Sequence, residues 1–143
     1  MTIRRIKEQD CQQKFLTGKK VFDFGPSGKP LDLYFYLERD RSGNYESWVL
    51  VENSSVVGVL CIQFRQDALY LSRIGVKAPL RLKGYGRQLM KFAVQRAIER
   101  GLRRITLEAQ EEVIRFFEDI GFKVIRRYQA TYWGNSATME LSW

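Results

Sequence analysis

The most informative residues lie in a short basic segment that follows an apolar stretch. Ile74, Gly75 and Val76 end the apolar stretch, and the segment Arg81 to Arg87 then combines three cations with two glycines. Apolar periodicity places a long helix directly after this segment, and the free backbone N–H groups at a helix start carry partial positive charge. Glycine lets such a backbone approach a ligand closely, so the segment would suit a pyrophosphate. A solvated basic turn that enters a helix fits the residues equally well.

The same segment resembles the signature of a known family, the GNAT superfamily of N-acetyltransferases. Arg81-Leu82-Lys83-Gly84-Tyr85-Gly86 fits the pattern Q/R-x-x-G-x-G/A, and Val76 stands five positions before the arginine, where the family usually has a valine. Further on, Leu107 to Phe122 is similar to the family's second cofactor segment, L-x-A-Q-x-x-A-x-x-F-Y-E-x-x-G-F, and Thr138 to Leu141 resembles the last strand of many members. The resemblance covers Ser47 to Trp143, roughly two thirds of the chain.

The resemblance implies that an acetyl group passes from acetyl-CoA to a primary amine by direct attack, with donor and acceptor bound together. The acceptor would be an amine-bearing small molecule, a protein N-terminus or a lysine, and the sequence does not distinguish among these. The strand before the basic segment would bind pantetheine through its backbone, and the amides of the segment would bind the pyrophosphate. The implied cofactor contacts are Ile74, Gly75, Val76, Arg81, Leu82, Lys83, Gly84, Tyr85, Gly86, Arg87, Gln110 and Phe117.

This reaction needs a base, because an alkyl ammonium group with a pKa of about 10 must lose a proton before it can attack a thioester. Glu108 is the candidate, since it stands at the end of the predicted central strand where some relatives keep a catalytic glutamate. A salt bridge from Glu108 to Arg103 or Arg104 is the structural alternative, and the sequence does not decide between the two.

The acid that would protonate the departing thiolate has no direct counterpart in this chain. The family commonly has a tyrosine in the second cofactor segment, and this chain has Phe117 there, which has no proton to give. Tyr128 and Tyr132, on the predicted penultimate strand, are candidate replacements. Packed rings with solvated hydroxyl groups would explain both tyrosines as well.

Two rival functions follow from the same residues. The loss of the usual tyrosine suggests a non-catalytic module that binds acyl-CoA as a sensor or partner-binding protein. A net charge of +8 suggests a basic nucleic-acid-binding domain. The chain has no recognition-helix motif, zinc-finger spacing or RNA-binding signature, so the sequence disfavours nucleic acid as a partner.

Composition narrows the chemistry further. The chain has no histidine, which excludes a Ser-His-Asp triad and a His-ligated zinc site. Two cysteines, Cys11 and Cys61, are too few for a structural metal site, and we expect both to be buried and no metal to be bound. No apolar run approaches the roughly 20 residues of a membrane-spanning helix, and the N-terminus lacks the apolar stretch of a secretory signal. The expected location is cytoplasmic.

Hydrophobic periodicity predicts the elements that would position these residues. It indicates an antiparallel meander of three strands, followed by the order strand–helix–strand–helix–strand–strand. The prediction is a mixed α/β sheet in one domain over residues 1–143, with the central strand pair splayed as the resemblance implies. The predicted bounds are strands Trp48–Glu52, Val56–Phe64, Leu69–Val76, Ile105–Ala109, Phe122–Trp133 and Ala137–Trp143, and helices Glu8–Leu16, Gly86–Arg100 and Glu111–Ile120.

Two parts of the prediction concern the ends of the chain. Leu31 to Leu37 is ambiguous: its alternating apolar residues and aromatic content favour a strand, whereas Pro30 could begin a helix. The last strand, ending at Trp143, is expected to be exposed and would permit a homodimer through sheet edges.

Overall fold

Eight strands and three α-helices form the fold in the computed structural model, which describes residues 1–12, 21–23, 33–77, 84–131 and 134–143. The elements are β1 (Thr2–Arg5), a 3-10 helix (Glu8–Gln12), β2 (Val21–Asp23), α1 (Leu33–Arg41), β3 (Tyr45–Glu52), β4 (Ser55–Phe64), β5 (Leu69–Lys77), α2 (Tyr85–Glu99), β6 (Arg104–Gln110), α3 (Glu111–Ile120), β7 (Lys123–Ala130) and β8 (Gly134–Ser142). The mixed α/β architecture predicted from the sequence is confirmed.

The strands make one sheet in the order β1-β3-β4-β5-β6-β8-β7, with β2 placed against β5. Strands β3, β4 and β5 form the predicted antiparallel meander. Strands β5 and β6 run parallel, because the chain crosses over between them through α2. Within the described residues this parallel pair is short, since it consists of Leu69 opposite Ile105 and Tyr70 opposite Thr106. Beyond these pairs the two strands part, and the sheet opens into a cleft.

Because successive side chains of a strand point to opposite faces of the sheet, a separate core lies on each face. In β4, Leu60 and Ile62 belong to the larger core, under α2 and α3, whereas Val59 and Cys61 belong to a smaller core with α1. Burying an aliphatic side chain of this size stabilises the fold by roughly 1.5–3 kcal/mol. Both cysteines are buried in the smaller core, as predicted, and burial raises the pKa of the Cys61 thiol.

The strand favoured for Leu31 to Leu37 is wrong: the chain forms α1 from Leu33, and residues 31–32 lie outside the described part. The three buried positions of α1 are Leu33, Tyr36 and Leu37, a spacing that places them on one helix face. Apolar residues at alternate positions misled the strand prediction, because Phe35 is 44% exposed and does not belong to the buried face.

Helix α1 is fixed to β3 by polar contacts at its C-terminal half. The buried Ser47 hydroxyl donates to the Tyr36 carbonyl at 2.8 Å, and the Ser47 amide donates to the Asp40 carboxylate at 2.8 Å. Arg5 in β1 donates to the same carboxylate at 2.7 Å. These bonds set the position of Arg39, which lies between the two anchored residues on α1.

The expected exposed last strand is also wrong. Strand β8 lies inside the sheet between β6 and β7, so its backbone is paired on both sides, and the edges of the sheet are β1 and β7. The predicted helix Glu8–Leu16 is a 3-10 helix that ends at Gln12, and residues 13–16 fall outside the described part. None of the helices in the described ranges has both the length and the apolar character needed to span a bilayer.

Candidate active site

The cleft between β5 and β6 is shaped by a β-bulge in β5. Along the β4–β5 pair, Cys61 lies opposite Arg73 and Ile62 lies opposite Leu71, so Ser72 has no partner of its own on β4. A regular strand would send the side chains of residues 72 and 73 to opposite faces. The bulge changes this direction, and Ser72 and Arg73 both line the same cavity.

This cavity has a volume of about 450 Å³ and lies where β5 and β6 have parted. Its walls come from α1, from the starts of β3 and β5, from the end of β6 and from the last two strands. The lining residues are Phe35, Tyr36, Arg39, Tyr45, Arg65, Tyr70, Ser72, Arg73, Glu108, Ala109, Gln110, Tyr128 and Ser136. Concave sites of this size, lined by aromatic residues and a few polar groups, are typical of small-molecule binding.

Glu108 is the one carboxylate in the lining of this cavity, and two neighbours fix its orientation. Its Oε1 atom accepts hydrogen bonds from the Tyr128 hydroxyl at 2.8 Å and from the Thr138 hydroxyl at 2.8 Å. The salt bridge considered from the sequence is not formed, because Arg104 pairs with Asp67 at 2.7 Å and with Glu140 at 3.3 Å. The Oε2 atom makes no hydrogen bond to a described residue, so one carboxylate oxygen is available to a substrate.

Tyr128 holds its proton firmly. Burial raises the pKa of Tyr128, and the hydrogen bond to Glu108 raises it further, to about 12. A thiol has a pKa of about 8.5, so a phenol this weakly acidic is a poor proton donor to a thiolate. The hydroxyl is also committed to Glu108, which makes orienting that carboxylate the role that this geometry supports. Tyr132, the other candidate acid, lies outside the described residues.

Two arginines on the other wall of the cavity stack on aromatic rings. The guanidinium carbon of Arg39 lies 4.6 Å from the ring centroids of both Phe35 and Tyr45, and its Nη1 atom donates to the Ser72 hydroxyl at 2.9 Å. The guanidinium carbon of Arg65 lies 3.8 Å from the ring centroid of Tyr70. Stacking of this kind restricts the guanidinium plane without neutralising its charge.

The part of the cleft predicted to bind the cofactor is built from backbone. Helix α2 begins after Gly84, which has φ +84° and provides no side chain to cap the first amides. A Cβ atom on Gly86 would lie 3.1 Å from the Phe116 ring, so glycine permits the close approach of α2 and α3. Arg87 is exposed in the first turn, and Tyr85 donates to Glu52 at 2.6 Å. Arg81, Leu82 and Lys83 lie outside the described residues.

The backbone assigned to pantetheine is already paired in this structure. The side chains of Ile74 and Val76 point into the core, where they are 0% and 2% exposed. Gly75 and Val76 pair with β4 on one side and with β2 on the other, where Val21–Asp23 faces Gly75–Lys77. The short strand β2 therefore occupies this stretch of the β5 edge.

The remaining predicted cofactor contacts are Gln110, the last residue of β6, and Phe117 on α3. Gln110 lines the cavity, next to Glu108 at the end of the strand. Phe117 is fully buried, and its ring packs at 5.1 Å from Phe116 and 5.4 Å from Phe122. A tyrosine hydroxyl at this position would have to be accommodated within the core.

Sequence reasoning missed Arg39, Tyr45, Arg65, Tyr70 and Ser72, all of which line the cavity. Four of them line it only because segments distant in the chain meet there, and no local motif marks those four. Arg39 had a usable signal, since the spacing of Leu33, Tyr36 and Leu37 indicates a helix face and would have placed Arg39 beside the sheet. The bulge at Ser72 leaves no signal in the sequence.

Comparison with known proteins agrees with this architecture. The model of the Acetyltransferase (GNAT) family matches residues 10–122. No curated protein is similar enough in sequence to count as a match.

Several solved structures share the fold at low sequence identity. The ribosomal-protein-S18-alanine N-acetyltransferase from Escherichia coli is 19% identical, with a TM-score of 0.76 over 99% of this chain and 92% of that one. The ribosomal-protein-alanine N-acetyltransferase from Brucella melitensis is 17% identical, with a TM-score of 0.71 over 100% of each chain. The paia N-acetyltransferase from Thermoplasma acidophilum, in complex with coenzyme A, is 19% identical, with a TM-score of 0.64 over 78% of this chain and 70% of that one.

Proposed function

Because the chain belongs to the GNAT family of acetyltransferases, we propose that it transfers the acetyl group of acetyl-CoA to a primary amine by direct attack, with both substrates bound in the cleft between β5 and β6. Family membership implies acyl transfer from an acyl-CoA to an amine. The observation that supports transfer in this chain is Glu108, held in the cleft by Tyr128 and Thr138 with its Oε2 atom available.

Glu108 acts as the base in this proposal. Its carboxylate takes a proton from the acceptor ammonium, directly or through a water, and the neutral nitrogen then attacks the thioester carbonyl. A bond forms between nitrogen and carbon, and the C–S bond breaks with its electron pair left on sulfur. The nitrogen releases its second proton to water, which leaves a neutral amide. Backbone amides near the bulge at Ser72 could polarise the carbonyl oxygen, since a bulge leaves backbone groups outside the regular ladder.

Phe117 is compatible with this chemistry because the leaving group needs little help. A thiol has a pKa of about 8.5 and an alkyl ammonium group one of about 10, so the thiolate is the weaker base of the two. It can leave as an anion and take a proton from water. The proposal therefore requires no tyrosine at position 117 and no proton from Tyr128.

The cofactor would be held mainly by backbone. The amides at the start of α2 and the basic residues Arg81, Lys83 and Arg87 suit the pyrophosphate. The edge of β5 suits pantetheine, which carries amide groups that can pair with a strand. One strand edge pairs with one chain at a time, so pantetheine would displace β2 from Gly75–Lys77 if it binds along this edge.

The test is product analysis with the purified chain. It would be incubated with acetyl-CoA and a panel of small amines, and free thiol and acetylated amine would be measured by absorbance and mass spectrometry. The proposal predicts equal amounts of thiol and acetylated amine with some members of the panel. Binding of acetyl-CoA by calorimetry without acetylation of any amine would contradict it and support a non-catalytic acyl-CoA-binding module.

A further inference from the structure

We propose that the acceptor is a small amine that also carries an anionic group, a carboxylate or a phosphate, and that Arg39 and Arg65 bind this group. The proposal rests on the proposed function, because it assigns the amine end of the acceptor to Glu108. It adds the chemical class of the substrate, which the family alone leaves open.

First, the cavity has an excess of positive charge, which favours an anionic ligand. Two guanidinium groups, from Arg39 and Arg65, line it against the single carboxylate of Glu108. Like charges gathered around a partly desolvated space repel each other, and an anion placed among them relieves the repulsion. A polyamine would be repelled, because it carries only positive charges and the cavity offers it one carboxylate and an excess of positive charge.

The second step is that neither Arg39 nor Arg65 forms an ion pair with a described carboxylate. Their polar contacts are neutral: Arg39 donates to Ser72, and Arg65 donates to the Gln63 side chain at 3.1 Å. Elsewhere in the described fold, arginines are commonly neutralised. Arg96 makes a bidentate contact with Glu46 at 2.8 and 3.0 Å, and Arg104 has two acidic partners.

The third step is preorganisation. Arg39 is half-buried, stacked on two rings and tied to the bulge residue Ser72, so its guanidinium is already ordered before a ligand arrives. Arg65 is exposed at the mouth, where the Tyr70 ring supports it. A guanidinium held in place loses little entropy on binding a carboxylate or phosphate, and its geometry permits two parallel hydrogen bonds.

The carboxylate of Glu108 and the guanidinium of Arg39 lie on opposite walls of the cavity. Glu108 and its partner Tyr128 lie on β6 and β7, whereas Arg39 and Ser72 lie on α1 and β5, on the other wall of the same cavity. A small molecule with an amine at one end and an anion at the other would satisfy both walls at once.

The experiment uses matched amines that differ in the anionic group. The pairs are 4-aminobutyrate with 4-aminobutyramide, and phosphoethanolamine with ethanolamine, with putrescine as a dication. The proposal predicts that kcat/KM for the anionic member exceeds that of its neutral match by about tenfold or more in at least one pair, the effect of charge-assisted hydrogen bonds. The pair that shows the preference distinguishes carboxylate from phosphate. Equal rates within both pairs, or a preference for putrescine, would overturn it.

Variants test whether Arg39 and Arg65 cause the preference for the anionic amine. Arg39→Gln and Arg65→Gln should raise KM for the anionic amine with little change in kcat and change KM for the neutral amine much less, while Arg39→Lys should restore part of the loss. Arg115→Gln is the matched control, because Arg115 is 85% exposed on α3 and pairs with Asp119 outside the cavity. An equal loss on neutral and anionic amines would show that the arginines only support the fold.

A binding measurement separates this proposal from the proposed function. Calorimetry with 4-acetamidobutyrate and N-acetyl-phosphoethanolamine needs no turnover. Binding of either by the parent chain, weakened at least about tenfold in Arg39→Gln and Arg65→Gln, would support the anion site even if no amine is acetylated. Absence of binding, or equal binding by parent and variants, would refute the site whatever the catalytic result.

Discussion

The two sides of the cleft are built from different parts of the chain. The side proposed for the cofactor consists of backbone: the edge of β5 and the uncapped start of α2 at Gly84, within one continuous stretch of sequence. The side proposed for the acceptor consists of side chains from α1, β3, the β4–β5 turn, β5, β6, β7 and β8, which only the folded sheet brings together. A ligand shared by a whole family can be bound by backbone geometry, whereas a particular acceptor requires side chains that each member can change.

The largest effect is expected on the side proposed for the cofactor, where a single glycine shapes the backbone at the start of α2. We expect Gly84→Val to weaken acetyl-CoA binding by at least about tenfold, because a branched residue at φ +84° distorts the amides that would bind the pyrophosphate. Calorimetry gives the affinity. The control is Gly101→Val, which has φ +73° and open space around it at the other end of α2. Both variants should lose about 1–2 kcal/mol of unfolding free energy, and a similar loss of affinity in both would refute the assignment.

On the acceptor side, Tyr128→Phe sharpens the distinction between an acid and a positioning residue. We expect kcat to fall about tenfold, since Glu108 loses one of the two donors that orient it. The decisive comparison is the double variant with Glu108→Gln. If Tyr128 works through Glu108, the double variant should be no slower than Glu108→Gln alone. Multiplication of the two losses would mean that Tyr128 acts independently.

A smaller effect is expected at β2, which pairs with the edge of β5. Replacing Val21, Phe22 and Asp23 by proline removes the N–H donors of the strand and should release the β5 edge at Gly75–Lys77. Acetyl-CoA affinity, measured by calorimetry, should then increase several-fold, because pantetheine no longer competes with β2. Thr2→Pro in the edge strand β1 is the control. Unchanged or weaker binding in the triple variant would place the cofactor away from this edge.

The smallest effect concerns the stability of the Tyr128–Glu108 contact at high pH. The pKa of Tyr128 rises from 10 to about 12 on folding, so the contact contributes fully below pH 10 and its contribution falls as the pH rises to about 12. The difference in unfolding free energy between the parent and Tyr128→Phe should therefore shrink over this range. A difference independent of pH would mean that the phenol ionises equally in the folded and unfolded states.

The sequence predicted the elements that are determined by residues close together in the chain. The meander, α2 and α3 follow from periodicity, and α3 has the predicted bounds Glu111–Ile120. The choice of Glu108 as candidate base came from the resemblance to the family. The position of α1 could not be settled, because the alternation of Leu33, Phe35 and Leu37 competed with the helical spacing of Leu33, Tyr36 and Leu37.

The cavity proposed for the acceptor could not be predicted for a different reason. Arg39 and Ser72 are 33 positions apart and meet at 2.9 Å only because α1 packs against the sheet and β5 contains a bulge. The internal position of β8 likewise depends on strand order, which hydrophobic patterns do not encode.

Glu108→Gln tests the central claim most directly, because it removes the base and leaves the shape of the cavity intact. Acetyl-CoA affinity and thiol release on the best amine would be measured on the parent, on Glu108→Gln and on the control Glu112→Gln, which lies on the exposed side of α3. The account predicts unchanged affinity in all three and a loss of turnover of at least about a hundredfold in Glu108→Gln alone, greatest at low pH, where the acceptor ammonium is hardest to deprotonate. Parent-like turnover in Glu108→Gln, or the same pH–rate profile as the parent, would contradict it.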